Sequence, residues 1–486
     1  MNSYRGNSFL KSIDWSLVVT YLLLVMIGWV NIYASVHSSE PASIFDFSCR
    51  SGKQFVWIVS AIGMAGIILF VINPRVWDSL SILFYAATIL LLVAVIFFGV
   101  EVKGSRSWFE FGPVRFQPAE ISKIATSLLL ATVMSQIGYR LTTARNFILT
   151  ILIILVPMAI IVAQSETGSA LVYVGFVFML YREGLSGWLL FIIGMAILLF
   201  ILTLTASPFV SMLALAAVAT LCSALESGRI KKWATSILPV MVFLALVPFI
   251  IRWTSALFPD PDTVIGKVRP MYFFAVAAVA GILFYAYKAY RDRSRFKLGV
   301  IASFIIGTAF IMSVDFIFHD VLQDHQRKRI EVLLGLKDDP SGVGYNVNQS
   351  MIAIGSGGFS GKGFLHGTQT TYGFVPEQST DFIFCTIGEE WGFVGAASVI
   401  LLYVFLIWRI LHDAERSREA FTRIYGYCVA CCIFMHLFIN VGMTMGLVPV
   451  IGIPLPLLSY GGSSLWAFTA MIFIFIALDR NEKRYL

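Results

Sequence analysis

Pro376-Glu377-Gln378-Ser379-Thr380-Asp381-Phe382-Ile383-Phe384 closes a long polar, glycine-rich segment and opens the next apolar run. That border decides the fold. The chain on both sides reads as one lipid-compatible run after another, and here an acidic residue stands where it turns back toward lipid. A carboxylate at the bilayer centre costs about 2.5–3.5 kcal/mol on insertion scales, so an acid at such a border has a task. Asp381 is therefore read as the reactive centre.

The chain has 486 residues, 58% hydrophobic and 13% charged, with a mean hydropathy of +0.83. These values exclude an ordinary soluble domain and point to one all-α polytopic membrane protein. The net charge of +7 is assigned to the positive-inside bias and to an anionic lipid ligand, not to nucleic acid. Cys49, Cys222, Cys385, Cys428, Cys431 and Cys432 have no paired ligand spacing and read as small hydrophobes. Arg5 and Lys11 precede an apolar stretch too long for a signal-peptide core, which is kept as the first span.

Fourteen apolar runs are long enough to cross a bilayer as helices. They fall at 15–35, 54–72, 78–100, 119–137, 146–163, 166–181, 186–205, 208–226, 236–252, 271–290, 298–316, 389–411, 423–446 and 462–479. With the N-terminus inside, most of the 35 basic residues face the cytoplasm, led by the clusters Gly228–Lys232 and Arg291–Lys297. Both termini are then cytoplasmic. Three polar segments, 101–118, 317–382 and 447–462, lie outside, and the unusual residues collect there.

Those segments carry a resemblance. The first holds Gly104-Ser105-Arg106-Ser107-Trp108 and Gln117-Pro118-Ala119-Glu120-Ile121-Ser122-Lys123. The second holds Gln326-Arg327-Lys328-Arg329-Ile330, Asp339-Pro340, Gly344-Tyr345, Gln349–Gly358, Gly361-Lys362-Gly363, Gly367-Thr368-Gln369, Thr380–Phe384 and Gly388–Gly392. The third holds Asn440–Met443, Gly446–Pro449, Pro454-Leu455-Pro456 and Ser459–Ser463. In order and spacing they resemble the SEDS family (shape, elongation, division and sporulation), and most of all its RodA branch. The chain departs from the family pattern at four places, the mildest being Ala119 where a Ser is usual. Ser379 stands where a His is common, Ser107 where an Arg precedes the Trp, and Glu166 keeps a carboxylate whose neighbouring Pro is gone.

The resemblance implies a SEDS-like ten-helix core plus about four extra transmembrane helices and a large extracytoplasmic loop. Residues 1–205 and 389–486 form the core. Residues 206–300 are an insertion, and 301–388 hold the last span before the loop together with the loop itself. It further implies an inverting, lipid-linked glycosyltransferase of the inner membrane that joins lipid II units outside the membrane during elongation. Implied partners are a class B penicillin-binding protein and membrane proteins of the elongation complex. Such a reaction needs a base for the acceptor hydroxyl, donors for the leaving diphosphate, and an apolar groove for two polyprenyl tails.

Asp381 is the candidate base, on a helix that Thr380 is expected to cap; the plainer reading is an acid in a helix's first turn. Arg106, Glu120 and Lys123 are substrate-binding candidates, with Arg106 and Lys123 placed near the diphosphate; the alternative is an interfacial ion pair. Glu377, Glu389, Glu390, Asn440 and Ser459 are further candidates, each with a loop-charge or helix-end alternative. Gly355–Gly363 fails the P-loop pattern. No metal site is assigned and no resident cofactor, though a divalent cation, magnesium or manganese, is left open at Asp381. The competing function is a flippase for lipid II or another lipid-linked saccharide, favoured chiefly by Glu166.

Overall fold

The computed structural model describes residues 12–36, 43–102, 104–112, 114–228, 230–257, 270–316 and 343–483, with single positions between 318 and 331. Arg5, Lys11, Arg229, Gln326, Arg329, Ile330, Asp339 and Pro340 lie outside the described residues. Two compact units emerge, one made of Met1–Ser186 with Asp338–Leu486 and one of Gly187–Lys337.

The first unit opens with α1 (Trp15–Val36), α2 (Arg50–Phe70), a short α3 (Arg75–Ser79) and α4 (Ser81–Phe98). Three strands follow, β1 (Val100–Val102), β2 (Ser105–Phe111) and β3 (Val114–Phe116), then α5 (Pro118–Met134), α6 (Ala144–Ala163), α7 (Thr167–Val172) and α8 (Phe176–Arg182). The second unit holds α9 (Gly187–Thr205), α10 (Pro208–Glu226), α11 (Ile230–Ser236), α12 (Leu238–Leu257), α13 (Pro270–Arg291) and α14 (Arg295–Phe316). The first unit resumes with α15 (Val343–Ser356), α16 (Thr368–Thr371), α17 (Ile383–Arg416), α18 (Ala420–Thr444) and α19 (Gly462–Lys483). Each of the fourteen apolar runs lies on a helix, the one at 166–181 on the broken pair α7–α8. Among the described residues, eleven helices are long and apolar enough to cross a membrane.

The fold departs from all-α at one place. Residues 100–116 form a small antiparallel sheet in the order β1-β2-β3. The cause is a period of two. In Ser105-Arg106-Ser107-Trp108, the serines are buried while Arg106 is exposed, and Arg106 stands opposite Glu101 in the register. Glu110 likewise faces Arg115 across the next pair, 3.2 Å apart. Opposite charges directly across strands each contribute roughly 0.2–1 kcal/mol.

α5, α18 and α19 are buried along most of their length and form the middle of the first unit. Several of their polar groups are matched inside the protein, as lipid favours. Tyr21 and Thr469 share a hydrogen bond of 2.8 Å, and Ser122 and Tyr173 one of 2.6 Å.

α17 breaks at Gly392, whose φ of 63° and ψ of −159° leave the helical region. The glycine-rich segment before it closes that break. Lys362 and Gly363 donate their N–H groups to the carbonyls of Glu389 and Glu390, while Phe393 and Val394 donate theirs to Gly358 and Phe359. A Cβ on Gly361 would lie 2.1 Å from the Glu390 carbonyl oxygen. The glycines therefore allow backbone to lie on backbone, so that a broken helix keeps its hydrogen bonds.

Candidate functional site

Asp381 does not begin a helix. It sits half-buried on a turn that starts at Glu377, a residue with φ of 53°. Thr380 is not the expected helix cap. Its N–H and hydroxyl reach the Glu377 carbonyl at 3.1 and 3.3 Å, and its hydroxyl reaches the Glu377 carboxylate at 3.1 Å. α17 starts later, at Ile383, after Phe382 and without a side-chain cap. The left-handed residue behind Pro376 makes the turn, and the turn takes the hydroxyl.

Backbone contacts fix this turn from several sides. Asn440 of α18, fully buried, donates its amide to the Asp381 carbonyl at 2.8 Å and to the Ile453 carbonyl at 2.7 Å. Ser459 donates to the Thr380 carbonyl at 2.6 Å and accepts from the Leu455 N–H at 2.8 Å. The Tyr460 N–H reaches the Ser379 carbonyl at 2.8 Å. Arg50, the first residue of α2, donates to the Ser379 hydroxyl and stacks over the Tyr460 ring at 5.8 Å. Gly452, with φ of 74°, lies beside the acid: a Cβ there would be 3.4 Å from Asp381 Oδ2. The side chain of Asn440 is thus brought to the Asp381 carbonyl and that of Ser459 to the neighbouring Thr380 carbonyl.

Glu120 and Lys123 lie beneath the same loop. Lys123 Nζ contacts both Glu120 oxygens at 2.9 Å and His436 Nε2 at 2.8 Å, with exposures of 0% and 2% for the ion pair. The Phe468 ring lies 5.1 Å from the ammonium. A lysine has three N–H donors, and these contacts use them all. His436 Nδ1 lies 3.0 Å from the Pro454 carbonyl. The buried pair therefore reaches the Gly452–Pro456 loop through a histidine and stands behind the turn that carries Asp381.

The remaining candidates have partners elsewhere. Arg106 is exposed on β2, its Nε 3.6 Å from Glu101. Glu389 is fully buried and clamps the preceding loop, accepting from the Gln369 and Thr370 N–H groups at 2.9 Å, from Lys362 at 2.7 Å and from the Thr368 hydroxyl at 3.2 Å. Glu390 accepts from the Leu365 N–H at 3.2 Å. Glu166 accepts from the hydroxyls of Ser105 and Ser107 at 2.8 and 3.1 Å. Ser107, which stands where the family commonly has an Arg, thus binds the Glu166 carboxylate.

Sequence reasoning passed over Arg50 and His436. Arg50 is the first residue of α2, and a lone arginine at a span end belongs to no motif. His436 sits inside the run 423–446, and an ionisable residue in a span is a site signal by itself. Weighing histidines only as metal ligands misses it. Among the described residues, no group of three or more His, Cys, Asp or Glu is placed to hold a metal ion.

Known proteins resemble this chain over nearly its whole length. It is 34% identical over 474 residues to the peptidoglycan glycosyltransferase RodA of Treponema pallidum, covering 97% of this chain and 98% of that one. It is 31% identical over 465 residues to the peptidoglycan glycosyltransferase MrdB of Escherichia coli, covering 96% and 94%. Among solved structures, a chain of a peptidoglycan synthase complex that coordinates polymerization and crosslinking superposes with a TM-score of 0.59, at 21% identity and over 97% and 98% of the two chains. The rod shape determining protein RodA of Thermus thermophilus does so with 0.53, at 20% identity and over 97% of each. The family model FTSW_RODA_SPOVE, described as cell cycle protein, matches residues 14–233 and 209–484, and the chain belongs to this family.

Proposed function

We propose that this protein is a peptidoglycan glycosyltransferase of the cytoplasmic membrane that polymerises lipid II at the outer face, with Asp381 as general base. The supporting observation is the half-buried Asp381 turn, held by Asn440, Ser459, Tyr460 and Arg50 beside the open backbone of Gly452. The carboxylate takes the proton from the acceptor sugar's 4-hydroxyl. The freed oxygen attacks the donor's anomeric carbon from the face opposite the leaving group, and undecaprenyl diphosphate departs with the bonding electrons. The anomeric centre inverts. Arg50 is a cation that the fold puts beside the turn, suited to the leaving diphosphate. Both termini are cytoplasmic, and a class B penicillin-binding protein crosslinks the product.

A divalent cation bound together with the diphosphate would add charge stabilisation. Asp381 and the diphosphate would hold it jointly, and no step here passes through it.

The test is the purified protein with labelled lipid II, with and without the class B partner. Wild type makes glycan chains. Asp381→Asn makes none, while it still folds and binds the partner. Undiminished chain formation by Asp381→Asn removes the acid as base, and flipping without polymer supports the transporter.

A further inference from the structure

The second unit contains a cavity of about 290 Å³. Its lining is apolar except for Thr220 and Tyr285, and includes Met241, Phe274, Gly281 and Phe284. Its position along the helices is informative. Most of the lining comes from the second half of α10, the start of α12, the middle and later part of α13 and the first half of α14. Those are the parts that adjoin the connections 227–237 and 292–294. The cavity therefore sits toward one end of the bundle, not at its middle.

That end is strongly basic. Lys231 and Lys232 belong to the short helix α11, and Lys288, Arg291, Arg293, Arg295 and Lys297 flank or occupy the second connection. Glu226 and Asp292 are the acids there, and Asp292 is bound by Lys297. Arg291, Arg293 and Arg295 are exposed. Lys288 ties charge to cavity directly: its ammonium lies 5.2 Å from the ring centroid of Phe284, a lining residue. At 1.5 Å per helical residue, Arg291 is about 9 Å along α13 from Tyr285, and Arg295 about 7.5 Å along α14 from Val300.

An apolar slot between spans with a ring of cations at its end matches a lipid with a negative headgroup. We propose that this cavity binds an anionic phospholipid, an acyl chain filling the slot and the phosphate resting on the arginines of the α13–α14 connection. Neither the fold family nor the Asp381 chemistry requires such a site.

Native mass spectrometry of the purified full-length chain tests it, with phosphatidylglycerol and phosphatidylcholine of identical acyl chains as probes. Wild type is expected to retain phosphatidylglycerol about tenfold better. A Cβ on Gly281 meets no atom within 4 Å, so the side chain of Gly281→Leu enters the cavity, and leucine is a better helix former than glycine. This variant is expected to lose about tenfold in retention of either lipid. Arg291→Gln with Arg295→Gln is expected to remove the headgroup preference and leave phosphatidylcholine binding unchanged.

Equal retention of the two lipids by wild type overturns the proposal, as does unchanged binding by Gly281→Leu. Undecaprenyl phosphate displacing phosphatidylglycerol assigns the slot to an isoprenoid, and a dimer lost in Gly281→Leu assigns it to a second copy; each overturns it. If Gly281→Leu fails to elute as a single folded species, the double arginine variant decides by itself.

Discussion

Lys123→Met tests how the buried pair works. In the wild type the ammonium spends its donors on Glu120 and His436, and it is fully buried. Removing it leaves the Glu120 carboxylate, 2% exposed, without its countercharge. Breaking a buried pair from one side costs about 3–5 kcal/mol. Replacing both partners, Lys123→Met with Glu120→Gln, removes the stranded charge and recovers most of that loss. What remains is the His436 nitrogen without Lys123, worth about 1 kcal/mol. Thermal unfolding in detergent, followed by size exclusion, is expected to rank wild type first, the double variant close behind and Lys123→Met last. In a lipid II polymerisation assay the double variant's remaining defect is expected in kcat, because the loop at Pro454 is less firmly held, while KM stays near wild type. A double variant that unfolds like wild type yet has a sharply raised KM refutes the reasoning. Lys123 would then bind the diphosphate itself.

Asn440→Ala strands the carbonyls of Asp381 and Ile453 at about 1–3 kcal/mol each, and is expected to lower both thermal stability and polymerisation, with rescue by no residue that lacks an amide donor. Gly452→Ala places a residue with a side chain at φ of 74°, a left-handed cost of about 1–2 kcal/mol. Its methyl would stand against Asp381 Oδ2, so kcat is expected to fall more than melting temperature. At Asp14, burial favours the protonated acid, but hydrogen bonds with Asp413, Ser16, Arg409 and the Leu17 N–H hold its carboxyl well below the usual range. A depressed value contributes stability above the ordinary aspartate value of 3.8 and loses it as pH falls toward the folded value. Asp14→Asn is therefore expected to lower the melting temperature at pH 7, and the gap to wild type is expected to close on acidification.

The spans were legible because length and apolarity alone decide them in lipid, and the fourteen runs needed no periodicity to be found. The sheet at 100–116 was not read, since its residues were weighed as a motif and not for alternation, although Ser105-Arg106-Ser107-Trp108 displays it. Asp381 stood out as an acid at a lipid border, but its turn did not. Thr before Asp before an apolar run has the pattern of a helix cap, and only the left-handed Glu377 diverts the Thr380 hydroxyl. Glu389 and Glu390 looked alike in sequence. Their difference depends on loop residues some twenty positions earlier, Leu365 and Thr368–Thr370, which no local pattern connects to them.

The placement of charge also separates a polymerase from a flippase. A transporter keeps its working charges near the middle of its spans, where the cargo passes. In the first unit such groups are turned on one another: Lys123 on Glu120 and His436, Glu389 on the 368–370 backbone, and Glu166 on Ser105 and Ser107. Glu166 was the main sequence feature in favour of transport, and two hydroxyls of the 105–107 strand now account for its retention without a cargo. Asp381 is held by its backbone. Its carbonyl is tied to Asn440, while its carboxylate lies beside a glycine, on a turn at the end of a span. A backbone held by Asn440 and Ser459 under that carboxylate is the geometry the proposed proton abstraction calls for. Alternating access would need these residues to move, which would break the contacts that Asn440, Ser459 and Tyr460 make with them.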